Sequence, residues 1–242
     1  ISTTQCVVGS VIGVVALAPL LGIASGGSYA VDWMVVGQIF IGWIVSPALG
    51  FLISGIVYAG VRRLQSRAKG LASRERQERI AAYGLTVFLI ITSLSRGGND
   101  VANAVAPLIA LPDFQGFAYL GPFIIPMTVI PLLLGGIGMA LGLAVIGRRV
   151  IKTLATEVVT LSPTSALSAS MATSIVMFVG TLLGFPLSGT HVLVAALVAV
   201  GWVSRAPVKK RQIRDILISW IVTVPISAGL AVGLFALIQP FF

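Results

Sequence analysis

The residues best equipped for chemistry stand together in Gly97-Gly98-Asn99-Asp100-Val101-Ala102-Asn103-Ala104. Asn99, Asp100 and Asn103 crowd amide and carboxylate oxygens into about one turn, just after two glycines that would let a helix unwind. Hard oxygen ligands and unwound carbonyls suit Na⁺, and suit a proton-coupled site as well. The plainer alternative is a kink in which Asp100 pairs with Arg96. A second cluster is Ser188-Gly189-Thr190-His191, which follows Pro186 and opens an apolar segment. Ser188 is placed to cap a helix, leaving free N–H groups, hydroxyls and a positive dipole end that together favour an anion. Ser2-Thr3-Thr4 repeats that arrangement at the start of the chain. Two such ends could face one tetrahedral oxyanion. Either motif alone reads more simply as ordinary capping; the repetition favours a site.

Other polar residues read more plainly. Ser162-Pro163-Thr164 is a capped helix start with Pro at the first helical position. His191, the only histidine, suits a proton-linked group, a donor to the anion, or a packed ring bonded to backbone. Arg96 either neutralises the anion or snorkels, and Glu157 reads as a surface residue.

The elements that must position these groups are membrane spans. Of 242 residues, 57% are hydrophobic and 10% charged, with a mean hydropathy of +1.05. A soluble domain carries about a quarter charged residues. The expected class is therefore an all-α polytopic membrane protein, with the lipid bilayer as its surroundings. The net charge of +9 does not point to nucleic acid, because the 16 Lys and Arg fall mainly at 62–79, 148–152 and 205–214 without interleaved aromatic residues. They read as cytoplasmic loops that obey the positive-inside rule. The single cysteine, Cys6, excludes an intrachain disulfide and a cysteine metal cluster.

Hydropathy places spans at 2–24, 33–61, 80–112 (broken at 96–100), 120–147, 163–184, 188–203 and 215–242. An amphipathic stretch covers 148–161. With every basic loop inside, 163–184 and 188–203 start and finish inside, as a re-entrant hairpin or two full crossings, and the C-terminus lies outside.

The chain also resembles itself. Ser2 and Ser188 head apolar segments 186 positions apart. Gly42-Trp43-Ile44-Val45-Ser46-Pro47 is matched, 177 positions on at the tryptophan, by Ser219-Trp220-Ile221-Val222-Thr223-Val224-Pro225. By the topology above, the two copies run in opposite directions. Inverted-topology repeats with broken helices and re-entrant hairpins are an architecture of secondary transporters. The expected organisation is residues 1–61 as the C-terminal part of repeat 1, 62–79 as a basic cytoplasmic loop, and 80–242 as repeat 2.

These motifs resemble the inorganic phosphate transporter family, which carries Gly-Ala-Asn-Asp-x-x-Asn-Ala and Pro-Val-Ser-Thr-Thr-His in each half. Residues 97–104 resemble the first motif, Pro186-Leu187-Ser188-Gly189-Thr190-His191 the second, and Ile1-Ser2-Thr3-Thr4-Gln5 its first-half copy. The resemblance implies phosphate symport with Na⁺ or H⁺ across the cell membrane. It further implies that Asn99, Asp100 and Asn103 bind the cation, that Asn103 also meets substrate, and that Ser2, Thr3, Thr4, Ser188, Gly189, Thr190 and His191 hold phosphate. Beyond the coupling ion no cofactor is called for, and a homodimer stays open. Gln5, Gly189 and Gly98 stand where the family has His, Thr and Ala. The lost hydroxyl at Gly189 leaves sulfate or a related oxyanion as an alternative cargo, and a membrane scaffold or sensor that does not transport is the alternative from another class. An enzyme is not expected: no Ser/His/Asp triad stands at usable spacing. A further Gly-x-Asn-Asp motif is expected upstream of Ile1, within about 80–110 residues on a span of opposite orientation.

Overall fold

The computed structural model describes residues 2–22, 31–67, 70–147, 162–205 and 210–241. The stretch 148–161 with Glu157, the end of the first expected span at 23–24, and Ile1 lie outside the described residues. Five helices are long and apolar enough to cross a membrane. These are α1 (Thr3–Leu20), α2 (Trp33–Arg67), α3 (Leu71–Ile109), α5 (Pro163–Leu182) and α7 (Lys210–Ile238). Two shorter apolar helices, α4 (Val129–Gly142) and α6 (Gly189–Ser204), complete the set. Most bulky apolar side chains on α2, α3, α4 and α7 are exposed, Ile44, Leu94, Leu134 and Ile221 among them, as lipid-facing helices require.

Packing is led by small and hydroxylated side chains. The core of α5 buries Thr164, Ser168, Ala172, Thr173, Ser174 and Gly180, the residue types that let helix backbones approach closely in lipid. α5 lies along α3 and α2, α6 lies along α2, and α1 lies along α7. Gly9 and Gly13 of α1 meet the backbone of α7: a Cβ on Gly13 would come within 2.6 Å of the Ala228 carbonyl oxygen. Gly50 of α2 meets α6 in the same way, with a Cβ there reaching to 2.8 Å of Val192.

The ends of the α5–α6 hairpin are tied to the charged stretch 62–79. Glu78 accepts from the Thr164 N–H at 3.0 Å, and Gln65 donates to Thr164 Oγ1 at 2.9 Å. Arg62 donates to the Val203 carbonyl at the other end. The turn at Phe185–Leu187 lies against Asn99 of α3, ten residues short of the helix end at Ile109, or about 15 Å. The hairpin therefore enters and leaves on one side and turns within the apolar layer. It is re-entrant.

Three local expectations are corrected. α3 is not broken at 96–100: it is helical from Leu71 to Ile109, through both glycines. A helical Gly is less favourable than Ala by only about 1 kcal/mol, and packing along α5 outweighs that. The stretch 62–79, expected as a loop, is helical over 62–67 and 71–79, because the long helices overhang the apolar layer and pair charges such as Glu75 with Arg79 at 3.3 Å. The fourth apolar segment begins as a helix at Val129 rather than at residue 120. Before it, β1 (Phe117–Leu120) and β2 (Phe123–Pro126) form an antiparallel hairpin, since Pro122 and Pro126 favour extended and turn backbone.

Candidate functional site

The site grows from two helix starts and the middle of a third helix. Ser2 has extended backbone and accepts from the Gln5 N–H at 3.4 Å; Ser188 is likewise extended and accepts from the His191 N–H at 3.4 Å. Each serine thus caps its helix, as expected, and leaves the first turn's other N–H groups without helical partners. Ser162 caps α5 in the same manner, with Pro163 at its first position.

The carbonyl of Leu187, one residue before the Ser188 cap, joins the pieces. It accepts from Thr4 Oγ1 of α1 at 3.1 Å and from Asn99 Nδ2 of α3 at 2.9 Å. Asn103, one turn along α3, donates to Thr4 Oγ1 at 3.2 Å. The neighbouring carbonyl of Pro186 accepts from Trp43 Nε1 of α2 at 3.0 Å. Three helices therefore pin two consecutive carbonyls of the re-entrant turn, and the start of α1 is held beside the start of α6.

Of the residues singled out from sequence, Ser2, Thr4, Asn99, Ser188, Gly189 and His191 are buried. Asp100 and Asn103 are half-buried. Asp100 meets Asn99 Nδ2 at 3.4 Å, and among the described residues neither Asp100 nor Arg96 forms an ion pair. The kink held by an Asp100–Arg96 pair is thus not what the structure shows. Thr190 bonds to Ser188 at 3.0 Å between hydroxyls. Thr3 is exposed, and no hydrogen bond joins its side chain to this cluster among the described residues. Among the described residues His191 is not bonded to backbone through its ring: it stacks on Trp220, centroids 3.7 Å apart at 31°, with Nδ1 and Nε2 buried and unpartnered there. Gln5, at the equivalent position of α1, has its buried Oε1 unpartnered as well.

Sequence reasoning missed four contributors. Leu187 and Pro186 act through backbone oxygens, which no side-chain type reveals. Trp43 and Trp220 stood out only as repeat markers; their shared place in two matched segments was the available signal that both meet the same turn and helix start. A cavity of about 370 Å³ lies between α2 and α5 and reaches the turn at Phe185 and Leu187, lined otherwise by residues such as Ile41, Val45, Ile175 and Val179. Its apolar wall offers little to an ion.

Asn99, Asp100 and Asn103 share one stripe of α3, spaced by one, three and four residues. Both asparagines donate through Nδ2, so their amide oxygens, with the Asp100 carboxylate, remain as hard ligands that would fit a cation. The free N–H groups and hydroxyls at the two capped starts fit an anion.

A helical chain with several apolar spans and polar groups gathered inside them is a multi-pass integral membrane protein. Residues 1–231 match the phosphate transporter family, and the chain belongs to that family. It is 28% identical to the inorganic phosphate transporter 2-1, chloroplastic, of Arabidopsis thaliana, over 96% of this chain and 54% of that protein. It is 40% identical to sodium-dependent phosphate transporter 1-A of Danio rerio, over 60% of this chain and 22% of that one. A putative phosphate permease of Chlamydia trachomatis is 34% identical, over 68% of this chain and 38% of its own. The chain thus spans about half the length, or less, of these relatives. A solved structure of a sodium-dependent phosphate transporter superposes with a TM-score of 0.73 at 20% identity, covering 100% of this chain and 82% of that one. At that identity the likeness establishes the fold.

Proposed function

We propose that this protein carries inorganic phosphate across the membrane by symport with Na⁺, the anion lying at the starts of α1 and α6 and the cation at Asn99, Asp100 and Asn103. The observation that carries the reading is the pair of serine-capped helix starts tied to one carbonyl, that of Leu187, by Thr4 and Asn99. Two positive dipole ends in one place suit an oxyanion better than one does. The orphaned Gln5 Oε1 and the His191 ring nitrogens support it, because buried polar groups lacking partners are destabilising by about 1–3 kcal/mol unless something else satisfies them. The relatives named for sodium dependence favour Na⁺ over H⁺.

The pairing of helices supports the inverted-repeat organisation. If α1 corresponds to α6 and α2 to α7, then exchanging the copies turns the α1–α7 contact into the α6–α2 contact, and both are present. Ser2 matches Ser188 in capping, Gln5 matches His191 in position, and close-approach glycines serve each interface: Gly9 on α1 and Gly50 on α2. Alternating access by rocking one repeat against the other follows from such a plan.

The test is uptake of labelled phosphate into vesicles holding the full chain, with an inward Na⁺ gradient, a K⁺ gradient or a pH gradient. Accumulation driven by Na⁺ alone, poorly inhibited by excess sulfate, is expected. Accumulation driven only by the pH gradient would make the coupling ion H⁺, and equal inhibition by sulfate would make the cargo a broader oxyanion class. No accumulation under any gradient would leave a scaffold.

A further inference from the structure

Gly189 is the first residue of α6, directly behind the Ser188 cap. Its missing side chain is not an empty space. A Cβ there would lie 2.5 Å from Nε, 2.9 Å from Cδ and 3.1 Å from Cζ of Arg96. The guanidinium of a half-buried arginine on α3 therefore rests on the opening turn of α6, where a threonine, the residue that the resembling motif has, would collide with it.

This placement is unfavourable by itself. The start of a helix carries about half a positive charge, and a cation is disfavoured beside it. Arg96 forms no ion pair among the described residues and its guanidinium makes no hydrogen bond to any of them, although the Asp100 carboxylate is near enough to act on it electrostatically. A charged group left without partners inside an apolar span marks a functional position. What cancels both positive charges at once is an anion between them. A guanidinium offers planar paired donors that match two oxygens of a tetrahedral oxyanion, and the start of α6 offers backbone N–H groups to the others. Arg96 also lies three residues before Asn99 and four before Asp100 on the same stripe of α3, which sets it beside the carboxylate without pairing to it.

We propose that Arg96 is a substrate-binding residue that determines specificity, gripping the carried oxyanion between its guanidinium and the start of α6, and that Gly189 is glycine so that the guanidinium fits. This rests on the anion placement proposed above and adds a residue to it. It also gives a physical reason for the lost hydroxyl at position 189, since a charged donor takes the space of a neutral one. A fixed charge favours anions of higher charge, so a doubly charged oxyanion is preferred over a singly charged one of the same shape.

The experiment is phosphate uptake at saturating Na⁺ in vesicles holding the full chain as wild type, Arg96→Met, Arg96→Lys, Gly189→Ala and the double variant Arg96→Met with Gly189→Ala. Arg96→Met keeps the apolar stem and should raise the KM for phosphate roughly tenfold or more. The maximal rate should stay within about threefold, as expected when a binding contact is removed. Arg96→Lys should fall between, and Gly189→Ala should match Arg96→Met because the added methyl evicts the guanidinium. The double variant should be no worse than Arg96→Met, since both changes remove one contact. A wild-type KM in Arg96→Met and Arg96→Lys overturns the proposal while the carrier reading stands, as do Gly189→Ala and Arg96→Met effects that multiply in the double variant. Absence of phosphate uptake by the wild type overturns both. Should Arg96→Met fail to reach the membrane, Arg96→Lys and Gly189→Ala still decide through the same KM.

Discussion

Leu187 organises the site through an oxygen that every residue type possesses. Its carbonyl takes two side-chain donors, Thr4 and Asn99, so losing one leaves it served and losing both leaves it orphaned. Hydrogen bonds between helices in membranes average about 0.6 kcal/mol. Thr4→Val and Asn99→Ala should therefore each lower stability by about that much. The double variant should lose more than the sum, because an unpartnered buried carbonyl adds about 1–3 kcal/mol. Thermal unfolding in detergent checks this, and strict additivity would show that the two bonds do not share an acceptor. The polar partners were legible from their types: Asn99 beside Asp100, and serine ahead of an apolar run. The acceptor was not, because its role depends on where a turn lands against two other helices. His191 tells the same story. Its type left three roles open, and only the approach of α7, which brings Trp220 over the ring, shows it to be stacked and unbonded.

At the scale of elements, the spans were legible because lipid demands long apolar runs, and their starts were legible because serine caps have a fixed chemistry. Glycine was the residue read least well. Gly97 and Gly98 suggested a break, yet α3 passes through them, and a Cβ on either would meet nothing within 4 Å. Gly9, Gly13 and Gly50, which stand in ordinary apolar runs, are the ones that seat helix on helix. Composition cannot separate these cases, since close approach is a property of two helices at once. The expected consequence is measurable. Gly13→Ala should destabilise by about 1–3 kcal/mol through overpacking against Ala228, whereas Gly229→Ala on α7, with open space around it, should be neutral or stabilise by up to about 1 kcal/mol. Gly97→Ala should likewise leave folding intact, as judged by melting temperature and abundance in the membrane. A large loss there would mean that the chain needs a break at 97 after all.

For the whole molecule, the ties from Gln65, Glu78 and Arg62 bring both ends of the α5–α6 hairpin to the side of the basic helix ends. Ser66 should face the cytoplasm and Gln239 the outside. With Cys6→Ser as background, an impermeant thiol reagent in intact cells should label Gln239→Cys and spare Ser66→Cys; the reverse pattern would invert the molecule. The basic clusters carry the expectation of sidedness in the sequence, whereas the depth of the hairpin turn is not legible there, because hydropathy alone does not tell a hairpin from two crossings. Whether a cation held by Asp100 drives phosphate across at this site is decided by phosphate uptake against Na⁺ concentration for Asp100→Asn beside wild type, normalised to protein in the membrane. Asn keeps the shape and one oxygen but not the charge. A charge pair about 4 Å apart contributes roughly 4 kcal/mol at an effective dielectric near 20, and less at a half-buried carboxylate. Normal insertion is expected, with a Na⁺ dependence shifted by at least about tenfold or abolished. An abundant Asp100→Asn protein with wild-type Na⁺ dependence would contradict that role for Asp100.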